Sequence, residues 1–386
     1  MARILFLAFS GGGNLPPSLG IARELTSRGH DVVFVGDPEM MPRMKPTRFR
    51  AIELTQAYAQ LDKYPPHPQF GPWFCGLTSP AIEAQARAIV DAEKPDFVLV
   101  DFMFLAANKL HFSQPSAAMA HMAFNHVSDV FRGLAQMTSG IRQQSGFEPL
   151  PDFDSLMLGR DRIIVTSLGA IDPTPAASPL ARLIRHVGPA LETEAHVQPL
   201  KLPYGWKASV PLVLVSFSTD PLQATPELIQ RTISALGKLK VNAVATVGAS
   251  LDIAKLSCPL NVLVVDAANH DLLLAQASLV ITHGGHGTVM RSLKHGVPLI
   301  VMPGVAPDQA PNGQMVEDLG AGRVLAQDAA GEAIGALTYE VLTTASYHTR
   351  AKAIAKQFSG IDGAVGAADE VEALLARGAA GAEAAA

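Results

Sequence analysis

Short runs of branched and aliphatic residues recur along the chain, separated by longer segments whose apolar positions follow a helical spacing. RILFLAF predicts a first strand, PSLGIARELTSRG a helix ended by Gly29, and HDVVFVG a second strand. SPAIEAQARAIVDAEKP predicts a helix, and DFVLVDF a buried strand with Asp101 at its C-terminal end. SAAMAHM, DRIIVTS and LIRHVG read as later strands. The stretch 189–209, PALETEAHVQPLKLPYGWKAS, has no period and carries three prolines, so it reads as a linker. The pattern then restarts with VPLVLVSF, the helix TPELIQRTISALGKL, and the strands VNAVATVG and LNVLVVDA. HDLLLAQ, SLVITH, GTVMRSLKHG, VPLIVMP and DQAPNGQMVEDLG continue it as helix, strand, helix, strand and helix. Strands alternating with helices in this way define a doubly wound α/β fold, here built twice. The expected layout is a Rossmann-like domain over 1–195, a linker over 196–210, a second Rossmann-like domain over 211–378, and a disordered tail over 379–386. Ligands are expected in the cleft between the domains, at the C-terminal ends of the strands.

Length and charge narrow the function. A chain of 386 residues, 48% hydrophobic and 17% charged, is long enough for two cores. A net charge of -5 with no Lys/Arg cluster argues against a nucleic-acid partner. No apolar run approaches the ~18 residues that span a bilayer, and MARILFLAFSGGG reads as a strand and turn rather than a signal peptide. Cys75 and Cys258 form no metal spacing and read as buried thiols of a reducing cytosol, which places the chain in the cytoplasm. Between Gln56 and Pro80 an aperiodic stretch rich in Tyr, Phe, Trp, Pro and His reads as a substrate-pocket wall or an ordinary surface excursion.

Two glycine-rich turns carry candidate chemistry. In SLVITHGGHGTVMRSLKHG, His283, Gly284, Gly285, His286, Gly287 and Thr288 join a buried strand to a helix. Glycines there let the backbone approach a bulky anion, and the helix N-terminus favours a phosphate. His283 and Thr288 add donors, while Asp308 and Gln309 return to the same end of the sheet, where an acid beside an amide suits sugar hydroxyls. His283 and His286 at i, i+3 also suit a metal pair, but no third ligand lies nearby. The second turn is the opening FSGGGNLPPSLG, which contains Asn14.

HGGHGT, HGVPLIVMP and DQ together are similar to the nucleotide-sugar signature of the family-one, UDP-glycosyltransferase-like enzymes of the GT-B fold, bacterial antibiotic-modifying ones included. GGGNLPPSLGIARELTSRGHDVVFV, KPDFVLVDF, PLVLVSFST and LNVLVVDAANHDLLLAQASLVITHGG resemble further pieces of that family in the same order. The resemblance implies an N-terminal acceptor domain and a C-terminal donor domain whose last helix reaches back to the first. It implies a glycosyltransferase that inverts the anomeric carbon, uses no metal or cofactor, and takes a UDP- or TDP-sugar and a small apolar acceptor. His283, the amides around Gly285 and Gly287, Thr288 and Thr219 would hold the diphosphate, and Asp308 with Gln309 the sugar. Trp73, His121 and His126 are acceptor-side candidates, and a homodimer is compatible with the family.

This chain departs from the family pattern at several positions. Asn269-His270 replaces the pair that faces the base, and Arg291 stands where relatives hold the ribose with a glutamate. Arg291 then pairs with phosphate or an altered ribose, or is an exposed helix residue. Ser218 replaces a glycine. At the opening loop, relatives place a histidine or aspartate as base, oriented by an aspartate at the position of Asp101; here the residue is Asn14. An amide has no titratable proton near neutrality and cannot serve as a general base. Three explanations follow. Another group, among Asp101, His121, His126 and His286, takes the proton; or the acceptor is an acidic phenol, carboxylate or amine that needs little help; or the chain is a weakly active nucleotide-sugar-binding accessory protein. A dinucleotide oxidoreductase is a rival on Gly11, Gly13 and Asp37, but Pro16 stands at the third glycine of that fingerprint.

Overall fold

A computed structural model describes residues 1–9, 13–59, 79–121, 128–191, 198–217, 224–248, 251–306 and 308–385. The chain divides into two compact units, one formed by 1–192 with 361–386 and the other by 193–360.

The first unit runs β1 (Arg3–Leu7), α1 (Leu15–Ser27), β2 (Asp31–Gly36), α2 (Met40–Met44), β3 (Arg50–Glu53) and α3 (Thr55–Tyr58). It continues through α4 (Pro80–Glu93), β4 (Phe97–Asp101), α5 (Leu105–Asn108), β5 (Ser116–Ala120), α6 (Ser128–Gln144), α7 (Phe153–Leu158), β6 (Arg162–Val165) and β7 (Ile184–His186). All seven strands are parallel, in the order β3-β2-β1-β4-β5-β6-β7. Parallel sheets are covered on both faces, which is why FVLVD is buried at every position. The strand order reverses between β1 and β4, so the segments leaving those strands diverge and leave a crevice at their C-terminal ends. Asn14 follows β1 and Asp101 ends β4, so both stand at this switch point.

The second unit runs β8 (Leu212–Ser216), α8 (Pro226–Leu236), β9 (Asn242–Thr246), β10 (Val262–Val265), α9 (His270–Leu274), β11 (Ala277–Thr282), α10 (His286–Lys294), β12 (Leu299–Val301), α11 (Gln309–Asp318), β13 (Gly322–Val324), α12 (Gly331–Thr343) and α13 (Ala345–Ala355). Its six parallel strands take the order β10-β9-β8-β11-β12-β13. The reversal falls between β8 and β11, where Ser216 ends one strand and His283 follows the other. Cys258, expected to be a buried thiol, is exposed in the loop before β10; Cys75 lies outside the described residues.

The last helix, α14 (Gly363–Ala385), belongs to the first unit. Ala367, Ala368, Val371 and Leu374 join the core cluster that holds Ile4, Leu19, Ile21 and Leu25. Close approach requires glycine here: a Cβ on Gly363 would meet the carbonyl oxygen of Gly188 at 2.0 Å. The helix continues through the alanine-rich 379–385, which the sequence alone suggested to be a disordered tail. Alanine has the highest helix propensity and prolongs a helix already anchored by packing.

Candidate active site

In the first unit, α1 opens with Leu15, Pro16 and Pro17 directly after Asn14. A capping asparagine normally accepts from the N–H of the second or third helical residue. Prolines occupy both places and have no N–H, so Asn14 makes no side-chain cap. Its Nδ2 instead donates to both carboxylate oxygens of Asp101, at 3.1 and 3.0 Å. Asn14 is 7% and Asp101 3% exposed. The Met103 N–H also donates to Asp101 Oδ1, at 2.9 Å, and Asn108 Nδ2 pins the Asp101 carbonyl at 2.8 Å.

Burial pushes the Asp101 carboxyl up to about 7; the Met103 N–H and the Asn14 amide oppose the shift, and the charge of Asp37 adds to it. A carboxylate raised on folding contributes stability below its unfolded value, 3.8, and loses it as pH rises through its folded value. Wild-type protein is therefore expected to lose stability relative to Asp101→Asn between pH about 4 and 7, by on the order of 1.4 kcal/mol per pH unit. Paired thermal melts across that range check the sign. His121, after β5, turns Nδ1 to Thr166 Oγ1 at 3.2 Å and lies edge-on to Phe102. Trp73 and His126 lie outside the described residues.

In the second unit, Gly284 has φ +93, and a Cβ there would strike Val301 Cγ1 at 2.7 Å and the Gln309 carbonyl oxygen at 2.8 Å. A Cβ on Gly285 would lie 2.6 Å from His283 Nε2. Both glycines are therefore required for the turn to hold the imidazole against the start of α10. Asn312 Nδ2 donates to the Gly284 carbonyl at 2.8 Å and fixes the turn from α11. A Cβ on Gly287 would meet nothing within 4 Å, so the first turn of α10 has open space on that side. Gly285, the N-cap, offers α10 no side-chain hydrogen bond, and the first turn holds no acid. Loss of hydration drops the His283 imidazole to about 4 despite the Ser216 carbonyl, which accepts from the ring. Burial pushes Asp308 up to about 6, against the backbone N–H groups of Asp308 and His286 that hold it down. The acid thus stands at the amide that opens α10. Gln309 is buried, and its Oε1 accepts from the Gly304 N–H at 2.6 Å.

Asn269 caps α9, accepting from the Leu272 N–H at 3.1 Å, and His270 Nε2 lies 3.2 Å from Thr246 Oγ1. Arg291 is not an exposed helix residue: it is 8% exposed and pairs with Asp271 at 2.5 Å. His295 Nε2 meets the other Asp271 oxygen at 3.0 Å, so the three side chains bind α9 to α10. His295 and Arg291 together hold the Asp271 carboxyl down to about 2. The sequence gives no sign of this cluster because its members sit on separate helices. Thr219 lies outside the described residues. Among the described residues, no group of three His, Cys, Asp or Glu side chains is placed to hold a metal, and no helix is long and apolar enough to cross a membrane.

Two parallel α/β units, each with its polar residues at a switch point, form the GT-B architecture of glycosyltransferases. CalG4, the calicheamicin glycosyltransferase, matches with TM-score 0.75 at 23% identity over 98% of this chain and 99% of that one. VinC, solved in complex with DTDP, matches with TM-score 0.69 at 17% identity over 97% and 100%. Residues 230–361 match the C-terminal domain model of erythromycin biosynthesis protein CIII-like proteins. The chain is 24% identical to the NDP-glycosyltransferase YjiC of Bacillus licheniformis, over 94% of this chain and 95% of that one. It is 25% identical to the demethyllactenocin mycarosyltransferase of Streptomyces fradiae, over 97% and 87%. The chain carries an EryCIII-like C-terminal domain and is a homologue of bacterial natural-product glycosyltransferases.

Proposed function

We propose that this protein transfers a sugar from a UDP- or TDP-linked donor to a small apolar acceptor, with inversion and without a metal. The observation that carries the reading is the His283–Gly285 turn, held by two obligatory glycines at a sheet switch point, with the first helical amides of α10 beyond it and open space beside Gly287. Those amides and the positive end of α10 suit a diphosphate, with Thr288 and Thr219 adding hydroxyls. Two proteins of the same fold, VinC and SsfS6, were crystallised with DTDP and thymidine diphosphate, respectively. Asp308 and Gln309 take the sugar, and Asn269 and His270 face the base. Arg291 acts through Asp271, holding α9 in register with α10 rather than touching the ribose. The first unit binds the acceptor, with Asn14 and Asp101 at its reacting atom and His121, His126 and Trp73 around it.

In the reaction the acceptor attacks the anomeric carbon from the face opposite the diphosphate, which leaves with the bonding electrons. His283 and the α10 amides receive its charge, a role in which preorganised donors typically contribute about 10²–10³ in rate. A catalytically weak accessory protein is the second reading, and Asn14 in place of a base is what favours it. It binds the diphosphate without turning over any acceptor.

The test is binding of UDP and TDP followed by thermal melting. At 100 times Kd either ligand is expected to add about 2.7 kcal/mol to the stability of the folded protein. Binding should also tighten as pH falls from 8 to 6. An incoming polyanion raises the low-lying His283 and draws a proton onto it, and protonating Asp308 removes a negative charge from the start of α10. Calorimetry in buffers of different ionisation enthalpy counts that proton. Stabilisation by NAD with indifference to both diphosphates would overturn the reading.

A further inference from the structure

Asn14 is nine-tenths buried, yet among the described residues its Oδ1 accepts no hydrogen bond. The cause lies in the sequence and its geometry. Pro16 and Pro17 remove the helical N–H groups this oxygen would otherwise cap. Asp101 then captures Nδ2 on both of its oxygens, at 3.1 and 3.0 Å. A planar amide with its nitrogen committed to a carboxylate turns its oxygen the other way. The first switch point therefore presents a carbonyl-type acceptor, backed by a carboxylate that polarises it. It presents no titratable base at the position of Asn14.

We propose that the acceptor atom glycosylated by this protein is a nitrogen, that of an aromatic or conjugated amine uncharged at neutral pH, and that Asn14 Oδ1 receives one of its N–H groups. The proposal rests on the transferase reading above and names the substrate class of its acceptor site. A neutral hydroxyl needs a base in the transition state, a contribution of about 10²–10⁴ in rate. Three nucleophiles manage with little such help: a phenolate, a carboxylate and a neutral amine. The first two bring negative charge towards Asp101, whose own ionisation the nearby Asp37 already opposes. An amine does the reverse. Its lone pair forms the carbon–nitrogen bond as the bond from the anomeric carbon to the diphosphate oxygen breaks, and the electron pair leaves with the diphosphate. Positive charge develops on the nitrogen, where the Asn14 carbonyl and the Asp101 carboxylate behind it stabilise that charge. The resulting ammonium then gives its proton to water. Phe102, edge-on to Phe131 with ring centroids 4.8 Å apart, follows Asp101 directly and supplies an apolar aromatic neighbour.

The test compares one bicyclic aromatic ring carrying –NH2, –OH or –COOH at the same carbon, with UDP-glucose and TDP-glucose as donors at pH 8. Products are read by mass, and N-glycosides are recognised by their release in mild acid. Wild-type protein is expected to use the amine with a kcat/KM about 100-fold above that for the hydroxyl. Asn14→His is expected to raise hydroxyl transfer by about 100-fold and to lower amine transfer. Because that variant has to fold first, the wild-type ratio decides alone if it does not. Equal or faster transfer to the hydroxyl or the carboxylate overturns the nitrogen assignment and leaves the transferase reading standing. Absence of transfer to all three rings, together with absence of stabilisation by UDP and TDP, overturns both.

Discussion

Replacing His283 with alanine is expected to weaken UDP or TDP binding by about 10- to 100-fold, the usual worth of a hydrogen bond to a charged group. Turnover at saturating donor is expected to fall further, by about 10²–10³, because the diphosphate carries more charge as it departs than when it is bound. The change should leave the second unit folded. The glycine turn is held from α11 by Asn312 Nδ2 on the Gly284 carbonyl, a contact that does not involve the imidazole. The variant also separates two sources of the pH effect. His283→Ala should remove the share of the proton uptake that the imidazole contributes to diphosphate binding and leave the share due to Asp308. Unchanged diphosphate affinity in a folded His283→Ala protein would remove this turn from the donor site.

Much of this arrangement is readable from sequence because parallel strands are buried on both faces. LVLVS, NAVAT and FVLVD are apolar except at their end residues, and each is a strand buried throughout. Edge elements are harder to read. The strand RAIE at β3 is only partly buried and GRV at β13 has three residues, so neither shows a period long enough to detect. The helix SDVFRGLAQMTSGIRQQ at α6 is broken up by glycines and polar residues. The glycine turn before α10 is legible as such and lies beside the strand reversal of the second sheet, and Asn14 stands beside that of the first.

Side-chain commitments depend on which elements touch, and that is where the sequence says least. Arg291 reads as surface, phosphate or ribose contact until Asp271, twenty positions earlier on a different helix, is seen to pair with it. Asn14 is the opposite case. Its two following prolines are plain in the sequence and already forbid ordinary capping, but only the fold brings Asp101 to its amide. The dinucleotide reading fails at the same place, because Pro16 lies within the first turn of α1, where that fingerprint needs a glycine.

A chain shortened to end at Gly360 is expected to lose the cooperative melting transition of its first unit. Val371 and Leu374 are buried in the core of that unit along with Ala367 and Ala368. Burying a Val or Leu side chain contributes about 1.5–3 kcal/mol, so the four residues together are worth roughly 6 kcal/mol. That is comparable with the entire stability of a typical domain, about 5–15 kcal/mol. Removing α14 would also uncover the α1 face that carries Leu19, Ala22 and Leu25. Charge contacts contribute less to this loss. Arg28 bridges Asp369 and Glu372 at 2.7 Å each, but those carboxylates are exposed and the pairs are screened by salt. Leu374→Ala should consequently cost about 2–5 kcal/mol, whereas Asp369→Asn should cost less than about 1 kcal/mol. Circular dichroism melts of the shortened chain and the two point variants measure all three effects. If the shortened chain keeps both units folded, α14 decorates the first core and does not complete it. If Asp369→Asn costs as much as Leu374→Ala, ion pairs rather than burial hold the helix in place.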